Sequence, residues 1–365
     1  MKDAIGDLLF GTTKDLIDIE SISRNEGEIC TYLFHKMEAI EGYHLERIGN
    51  NLVLTSKRYD SGRGMILAGH LDTVPSFGEV RAIVDGDSIY GLGAVDMKSG
   101  LAVMLALAEI YSGDDNLRFI FYASEEISRS FSGLLEIERE NPELLRGAGA
   151  VLLEPTGGFI EAGCQGTARF KVGIKGRRSH SARAWMGVNA IERSWHLLSY
   201  LDKLAHDPIE YGGVTYRPAL VTTKIEGGIA GNVVPDYVEL TVNLRYAPSV
   251  SDQSTIAHYV ELLESQLKSD MGDFVEVLES APSAPPSLDN GVIAALGKSG
   301  VRGVRAKLGW TDVAFFYERG IPAVNFGPGD PELAHTKDEV VSRDEIVECF
   351  QILARLLEAS KYQER

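Results

Sequence analysis

The segment from Met65 to Gly100 constrains the fold more than any other part of the chain. It begins with the apolar run 65–68, bounded by glycines, which indicates a buried strand of a parallel sheet. His70 and Asp72 follow at the carboxyl end of this strand, where open α/β sheets bind their ligands. Because they are two residues apart on an extended backbone, their side chains point to the same side. The segment therefore predicts an α/β fold with a polar site at one edge of the sheet.

The same segment continues into a glycine-rich loop that carries Asp96 and leads directly into an apolar helix at 101–110. A carboxylate beside an imidazole can hold one ring nitrogen while the other nitrogen binds a metal. Gly91 and Gly93 could also be part of a dinucleotide-binding fingerprint. The third glycine of that fingerprint is missing, however, and Asp96 would put negative charge where a phosphate must lie. We therefore favour a metal site over a nucleotide site.

Composition and charge exclude several classes of protein. The chain has 365 residues, which is long for one hydrophobic core and favours two domains. No segment approaches the ~18 apolar residues of a membrane span, and no signal peptide is visible, so we expect no membrane partner. The net charge of −17 argues against a nucleic-acid partner. Three scattered cysteines, Cys30, Cys164 and Cys349, fit a reducing cytosol, and we expect a cytoplasmic protein.

The order of predicted elements changes twice along the chain. Strands and helices alternate over residues 1–166 and again over 281–365, which predicts one α/β catalytic domain built from both ends of the chain. Residues 167–280 instead follow a β-α-β-β-α order, typical of an α+β domain with a ferredoxin-like sheet. We expect this second domain to be inserted in the first. One predicted helix, 26–41, has Asn25 as its expected N-cap.

Residues that bind metals recur at the predicted strand ends. They are His70, Asp72, Asp96, Glu125, Glu126, Glu154 and His335. Two histidines and several carboxylates suit zinc, and cobalt or manganese could substitute. A single ion needs three protein ligands. A pair of ions needs five or six ligands, one of which binds both ions, and Asp96 could be that shared ligand. Glu125 and Glu126 are adjacent, so one of them can stay off the metal and act as a general base. On its own, such a pair could equally be a solvated strand end.

Several motifs together resemble the co-catalytic dizinc amidohydrolase and exopeptidase family, which includes aminoacylases, acetylornithine deacetylase and glutamate carboxypeptidase. They are His70-Leu71-Asp72-Thr73-Val74-Pro75, Asp96-Met97-Lys98-Ser99-Gly100, Glu125-Glu126, Glu154-Pro155-Thr156 and His335. Within the family, segments 161–167, 308–314 and 325–330 are most similar to the succinyl-diaminopimelate desuccinylases. Two positions depart from that branch: Cys164-Gln165 lies where arginine is expected, and Trp310 lies where a small residue is expected.

The resemblance implies a fold and a chemistry. The fold would be a three-layer αβα zinc-hydrolase domain with an inserted dimerisation domain, and the activity would be hydrolysis of N-succinyl-L,L-diaminopimelate to succinate and L,L-diaminopimelate. Glu125 would take a proton from the attacking water and pass it to the departing amine. Asp72 and His180 would be the other catalytic residues, and the peptide bond between Asp96 and Met97 would be cis. The implied ligands of two Zn²⁺ are His70, Asp96, Glu126, Glu154 and His335.

The resemblance also implies partners. Arg245, Asn232, Gly309 and Thr311 would bind a small anionic N-acyl amino acid, and Arg245 would pair with a carboxylate. A cluster of basic residues at 171–183 loosely fits such a substrate, although it could be a solvated face. The chain would form a homodimer through the inserted domain, with His180 donating to the oxyanion in the partner's active site.

Two alternatives stay open. The chain could be another member of the family: an acetylornithine deacetylase-like or other N-acyl-amino-acid deacylase, or a small dipeptidase or carboxypeptidase. More remotely, it could be a zinc-binding protein that has lost catalysis. Glu125 counts against the second alternative, because a structural zinc site needs no general base.

Overall fold

The computed structural model describes residues 2–76, 78, 81–111, 116–249 and 251–363. Its contacts divide the chain into two compact units. The first unit comprises Met1–Ala162, Pro286–Arg305 and Phe315–Arg365, and the second comprises Gly163–Pro285 and Ala306–Ala314. Within the described ranges, no α-helix combines the length and the apolar character that crossing a bilayer requires.

The α-helices of the described ranges are α1 (Lys2–Ile17), α2 (Gly27–Met37), α3 (Lys98–Ile110), α4 (Gly133–Glu140), α5 (Ala190–Lys203), α6 (Asp252–Glu264), α7 (Gly291–Gly297), α8 (Val313–Glu318) and α9 (Arg343–Gln363). Short 3₁₀ helices span Arg129–Phe131, Pro142–Leu145, Ser181–Met186, Ser269–Met271 and Pro331–Leu333.

The first ten strands are β1 (Tyr43–Ile48), β2 (Asn51–Ser56), β3 (Met65–His70), β4 (Ile83–Asp85), β5 (Ser88–Tyr90), β6 (Leu117–Tyr122), β7 (Gly149–Pro155), β8 (Ile160–Ala162), β9 (Gly166–Lys175) and β10 (Ser179–His180). The remainder are β11 (Ile209–Tyr211), β12 (Val214–Tyr216), β13 (Ala219–Gly227), β14 (Val233–Val234), β15 (Tyr237–Tyr246), β16 (Phe274–Ala281), β17 (Val304–Ala306), β18 (Ala323–Gly327) and β19 (Val340–Ser342).

A large mixed sheet organises the first unit. Its strand order is β1-β2-β6-β3-β7-β18-β8-β17, and the four neighbours β6, β3, β7 and β18 pair in parallel. Every residue of β3, β6 and β7 is buried, as expected for strands of a parallel sheet covered on both faces. Helix α3 is buried from Lys98 to Ala108 and packs with α1 and α9. This confirms the predicted α/β class and brings the carboxyl ends of three ligand-bearing strands to one edge.

The second unit contains a four-stranded antiparallel sheet in the order β13-β15-β9-β16. In chain order its elements are β9, α5, β13, β15, α6 and β16, so the strand order is that of a ferredoxin-like sheet. Alternate residues of β9 and β15, such as Phe170 and Leu240, are buried with Leu197 of α5. The predicted ferredoxin-like insertion is therefore confirmed.

Two local features differ from the sequence-based expectations. Helix α2 begins at Gly27, so its N-cap residue is Glu26 and not Asn25 as expected. The side chain of Glu26 does not cap the helix, because its carboxylate accepts hydrogen bonds from Ser124. Residues 306–314 were expected within the domain formed by 281–365, but they group with the second unit. There Gln165 donates its main-chain N–H to Lys307, and the Trp310 indole donates to the carbonyl of Pro282.

Candidate active site

His70 is the last residue of β3 and is almost completely buried. Its Nδ1 lies 2.9 Å from the main-chain oxygen of Asp72. A carbonyl oxygen can only accept a hydrogen bond, so Nδ1 carries a proton and donates it. The neutral ring then presents the lone pair of Nε2 to whatever lies on its other side. The end of β3 thus orients His70 with Nε2 available as a metal ligand.

The carboxylate of Asp96 lies between two histidines. Its Oδ1 is 3.0 Å from Nε2 of His70, and its Oδ2 is 3.3 Å from Nε2 of His335. The two histidines come from β3 and from a loop near the carboxyl end of the chain, so only the tertiary structure brings them together. One oxygen per histidine is the arrangement that a shared ligand of two ions requires.

Each histidine has a second carboxylate beside it. Oε1 of Glu154, near the end of β7, lies 3.8 Å from Nε2 of His70. Oε1 of Glu126 lies 2.8 Å from Nε2 of His335. One ligand atom each of His70, Asp96 and Glu126 lies within 4.8 Å of the other two. All five predicted metal ligands are therefore brought to one place in the first unit.

The electrostatics of this cluster favour a cation. Nε2 of His70 faces acceptor oxygens of Asp96 and Glu154, so a proton or a metal ion must lie between them. Burial disfavours the imidazolium, but hydrogen bonds to Asp72 and Asp96 outweigh it and raise the pKa of His70 well above 6.5. Hydrogen bonds to Asp96 and Glu126 raise the pKa of His335 to about 10. Two imidazoles and three converging carboxylates suit a divalent metal, so these residues fit the implied cofactor.

Asp72 connects the histidine to the neighbouring strand end. Its Oδ1 lies 3.5 Å from Nδ1 of His70 and accepts the main-chain N–H of Glu125 at 3.0 Å. Its Oδ2 accepts the main-chain N–H of Glu126 at 3.0 Å and the hydroxyl of Ser23 at 2.7 Å. One buried carboxylate thus fixes both the imidazole and the backbone of the Glu125–Glu126 pair, where Glu125 is half-buried.

Two buried glutamates that the sequence analysis did not identify support the loops of the site. Glu339 accepts main-chain N–H groups from the loop that contains Asp96. Glu26 accepts both the N–H and the hydroxyl of Ser124, which precedes the Glu125–Glu126 pair. No spacing pattern in the sequence relates either glutamate to the loop that it supports. The peptide bond between Asp96 and Met97 is cis, which confirms the expectation from the resemblance.

His180 and Asn232 lie side by side in the second unit. Strand β10 pairs with β14 so that His180 faces Val233, and the carbonyl of Asn232 accepts the N–H of Ser181. Both His180 and Asn232 are exposed. Nδ1 of His180 accepts the main-chain N–H of Ala182 at 3.0 Å, so the proton of the neutral ring is on Nε2.

The other predicted substrate-binding residues also belong to the second unit. Arg245 is on β15, half-buried, opposite Thr167 on one side and Ala219 on the other. Burial and the neighbouring Arg169 lower the pKa of Arg245, and the Cys164 thiol partly opposes that shift. Gly309 is exposed, while Thr311 is buried, and its carbonyl is 3.8 Å from the thiol of Cys164.

The chain is similar to known proteins in sequence and in fold. Residues 66–359 match the family described as peptidase family M20/M25/M40. The chain belongs to this family. A provisionally named succinyl-diaminopimelate desuccinylase of Mycobacterium tuberculosis is 41% identical over 94% of this chain and 96% of the relative. The succinyl-diaminopimelate desuccinylase of Corynebacterium glutamicum is 39% identical over 97% of both chains.

Two solved structures share the fold. A tripeptidase from Staphylococcus aureus superposes with a TM-score of 0.83 over 98% of this chain and 99% of its own, at 24% identity. An M20 family metallo-carboxypeptidase from Sulfolobus solfataricus has a TM-score of 0.75, at 18% identity, over 97% of this chain and 99% of its own.

The comparisons confirm the resemblance on which the sequence analysis relied. The M20 family and the desuccinylase-named relatives support the interpretation of the chain as a metal-dependent amidohydrolase. The cluster of His70, Asp96 and Glu126 supplies a candidate site for that metal. The roles of the individual residues stay predictions.

Proposed function

We propose that the protein is a two-zinc hydrolase that cleaves N-succinyl-L,L-diaminopimelate into succinate and L,L-diaminopimelate. The observation that carries the proposal is the Asp96 carboxylate between His70 and His335, in a chain 41% and 39% identical to relatives that bear the desuccinylase name. Hydrolysis of an amide needs a polarised carbonyl, a deprotonated water and a proton for the leaving amine. The residues of the first unit offer a group for each task.

In this proposal His70 and Glu154 hold one ion, Glu126 and His335 hold the other, and Asp96 is shared. Imidazole and carboxylate donors suit Zn²⁺, and Co²⁺ or Mn²⁺ can replace it. When bound, the two ions polarise the substrate carbonyl and lower the pKa of water. Asp72 keeps the proton on Nδ1 of His70, so that Nε2 stays a ligand.

Glu125 is the proposed general base and acid. Its neighbour Glu126 points to His335, whereas the main-chain N–H groups of both residues are held by Asp72. A carboxylate held in this way can accept a proton from the attacking water and return it to the departing amine. A structural metal site has no use for such a group.

The substrate is proposed to be a small anionic N-acyl amino acid bound by Arg245, Asn232, Gly309 and Thr311. Arg245 supports this because it is half-buried and the groups that shift its pKa include no carboxylate. A half-buried guanidinium is well suited to bind a carboxylate of the ligand by paired hydrogen bonds.

We also propose a homodimer formed by the second unit. The edge strand β13 exposes Val221 and Ile225, and the adjacent helix α5 exposes Ile191 and Trp195, which is 70% exposed. An unpaired strand edge beside apolar side chains is a surface that proteins normally cover. In the dimer, Nε2–H of His180 donates to the oxyanion in the partner's active site.

A cytoplasmic location is proposed as well. The three cysteines are buried and free, which fits a reducing compartment. Burial raises the pKa of the Cys164 thiol to about 11, so this thiol is a poor nucleophile at neutral pH.

The test is turnover of a panel of substrates by protein loaded with Zn²⁺ or Co²⁺. We expect kcat/KM for N-succinyl-L,L-diaminopimelate to exceed that for N-acetyl-L-ornithine and for dipeptides by about 10² or more, because the succinyl carboxylate has a dedicated partner. Faster cleavage of N-acetyl-L-ornithine or of a dipeptide would favour another M20 activity. No turnover by the metal-loaded protein would favour a zinc-binding protein without catalysis.

The matched variant for this assay is Arg245→Ala. If Arg245 binds the succinyl carboxylate, the variant loses far more kcat/KM on the succinylated substrate than on a neutral N-acyl amino acid. Equal losses on both substrates would mean that Arg245 stabilises the sheet of the second unit and does not select the substrate.

A further inference from the structure

The loop that carries Asp96 is held by a carboxylate from a distant part of the chain. Both oxygens of Glu339 face this loop: Oε2 accepts the N–H of Gly93 at 3.0 Å, and Oε1 accepts the N–H groups of Val95 and Asp96, each at 2.8 Å. Glu339 is 2% exposed. Three main-chain donors from four consecutive residues converge on one anion, a geometry that backbone loops use to bind anionic groups.

The loop cannot hold this shape through regular secondary structure. It lies between β5 and α3, and Gly93 has a φ of +84°, a left-handed conformation that favours glycine. The N–H groups of Gly93, Val95 and Asp96 would lose their partner without Glu339, and a buried donor without a partner costs about 1–3 kcal/mol. The contact with Glu339 therefore fixes the backbone on which the Asp96 side chain is mounted.

The same short segment supplies both a candidate ligand and this support. His335 lies four residues before Glu339, and its Nε2 is 3.3 Å from Oδ2 of Asp96. One segment thus contacts Asp96 twice, once at its side chain through His335 and once at its main chain through Glu339. Burial lowers the pKa of Lys98, which follows this loop, to about 7, and the charge of Glu339 partly opposes that shift.

We propose that Glu339 is a positioning residue of the metal centre: by binding the main chain of the loop 93–96, it sets the direction of the carboxylate that both ions share. Both oxygens of Glu339 accept main-chain N–H groups of the loop, and Glu339 is not one of the five candidate ligands. The inference rests on the proposed two-ion site, but it does not depend on which amide the enzyme cleaves. Because Asp96 is shared, loss of this support affects both ions, whereas loss of Glu154 or His335 affects one.

The test measures metal binding and not activity. Glu339→Gln keeps the size of the side chain but puts an N–H donor opposite a main-chain N–H. We expect Co²⁺ and Zn²⁺ to bind about 10–100-fold more weakly at both positions, as observed for other groups that orient metal ligands. Calorimetric titration of the metal-free protein gives the affinities, and the visible absorption of the Co²⁺ form reports any change in ligand geometry.

The matched control is Asp273→Asn. Asp273 is also a buried carboxylate that accepts main-chain N–H groups, from Lys175 and Lys268, but it lies in the second unit and contacts no candidate ligand. This variant should lose stability and keep wild-type metal affinity. Folded Glu339→Gln protein with wild-type affinity for both ions would overturn the proposal, and so would an equal loss of affinity in the Asp273→Asn control.

A second measurement needs no variant. If Glu339 holds the loop before metal binds, amide hydrogens in the segment 91–97 of the metal-free wild-type protein exchange slowly with solvent. Fast exchange of this segment in the metal-free protein, at the rate of an unfolded peptide, would overturn the proposal even if Glu339→Gln failed to fold. Failure of the substrate assay with intact metal binding would instead refute the proposed function and leave this inference standing.

Discussion

Glu125 and Glu126 are neighbours in sequence for which we propose different roles. Oε1 of Glu126 lies 2.8 Å from Nε2 of His335, inside the ligand cluster, and Asp72 anchors the main-chain N–H groups of both glutamates. We therefore expect these two adjacent residues of the same type to have separable roles. Substitution by glutamine, which preserves size and removes charge, distinguishes a ligand from a proton carrier.

We predict that Glu125→Gln lowers kcat by about 10³, because one residue serves as base and then as acid, while the protein still binds two metal ions per chain. Single-turnover kinetics and metal analysis of the same preparation check this. The matched control is Glu126→Gln, which should bind one ion more weakly. If Glu125→Gln loses an ion and Glu126→Gln keeps both, then Glu125 is the metal ligand and Glu126 is the general base.

At the scale of elements, the first turn of α3 packs directly on β7. A Cβ atom added at Gly100 would lie 2.4 Å from the carbonyl oxygen of Leu153, the residue before Glu154. Real Cβ atoms do not approach a backbone oxygen so closely, so the absence of a side chain lets the helix contact the strand. This contact holds together the loop of Asp96, which precedes α3, and the end of β7, which carries Glu154.

We predict that Gly100→Ala destabilises the protein by about 1–3 kcal/mol, the typical cost of overpacking a tightly packed site. The control is Gly11→Ala in α1, where an added Cβ meets nothing within 4 Å. Since alanine favours the helix, that variant should match the wild type or gain up to about 1 kcal/mol. Urea unfolding measures both. Gly100→Ala protein as stable as the wild type would show that helix and strand move apart at little cost.

At the scale of the whole molecule, the candidate residues are divided between the two units. The first unit carries the five candidate ligands and Glu125, and the second carries His180, Asn232 and Arg245. Nε2–H of His180 is available as a donor, because Nδ1 already accepts the N–H of Ala182. A subunit partner that supplies this donor would make the dimer, and not the single chain, the active species.

Mixing inactive variants tests this arrangement. His180→Ala alone should lower kcat by about 10²–10³, the usual cost of losing an oxyanion donor. When His180→Ala and Glu125→Gln chains exchange subunits, one site of each heterodimer regains both residues, so activity should recover to about a quarter of wild type. The control replaces the Glu125→Gln chain with a chain that carries both substitutions, which should restore nothing. No recovery in the test mixture would mean that His180 acts within its own chain or has no catalytic role.

Much of the fold and of the ligand set could be predicted from the sequence, because both follow from local patterns. The buried run before His70 indicates a parallel strand, and parallel strands place their carboxyl ends at one edge. Residues at or just beyond the ends of such strands, including Asp72, Glu126 and Glu154, are therefore expected near one another. The β-α-β-β-α order of the inserted segment likewise predicted its ferredoxin-like sheet.

The tertiary structure decided what depends on contacts between distant segments. Glu339 and the loop of Asp96 are separated by more than 240 positions, and no spacing rule relates them. The expected N-cap at Asn25 was wrong for the same reason. Glu26 contacts the distant Ser124, and the helix begins at Gly27. Local sequence determines which residues stand at the ends of strands. Only the tertiary structure determines which buried carboxylate accepts the main-chain hydrogen bonds that orient those residues. A buried N–H group must bond to an acceptor that the fold brings near it, and that acceptor can come from a distant segment.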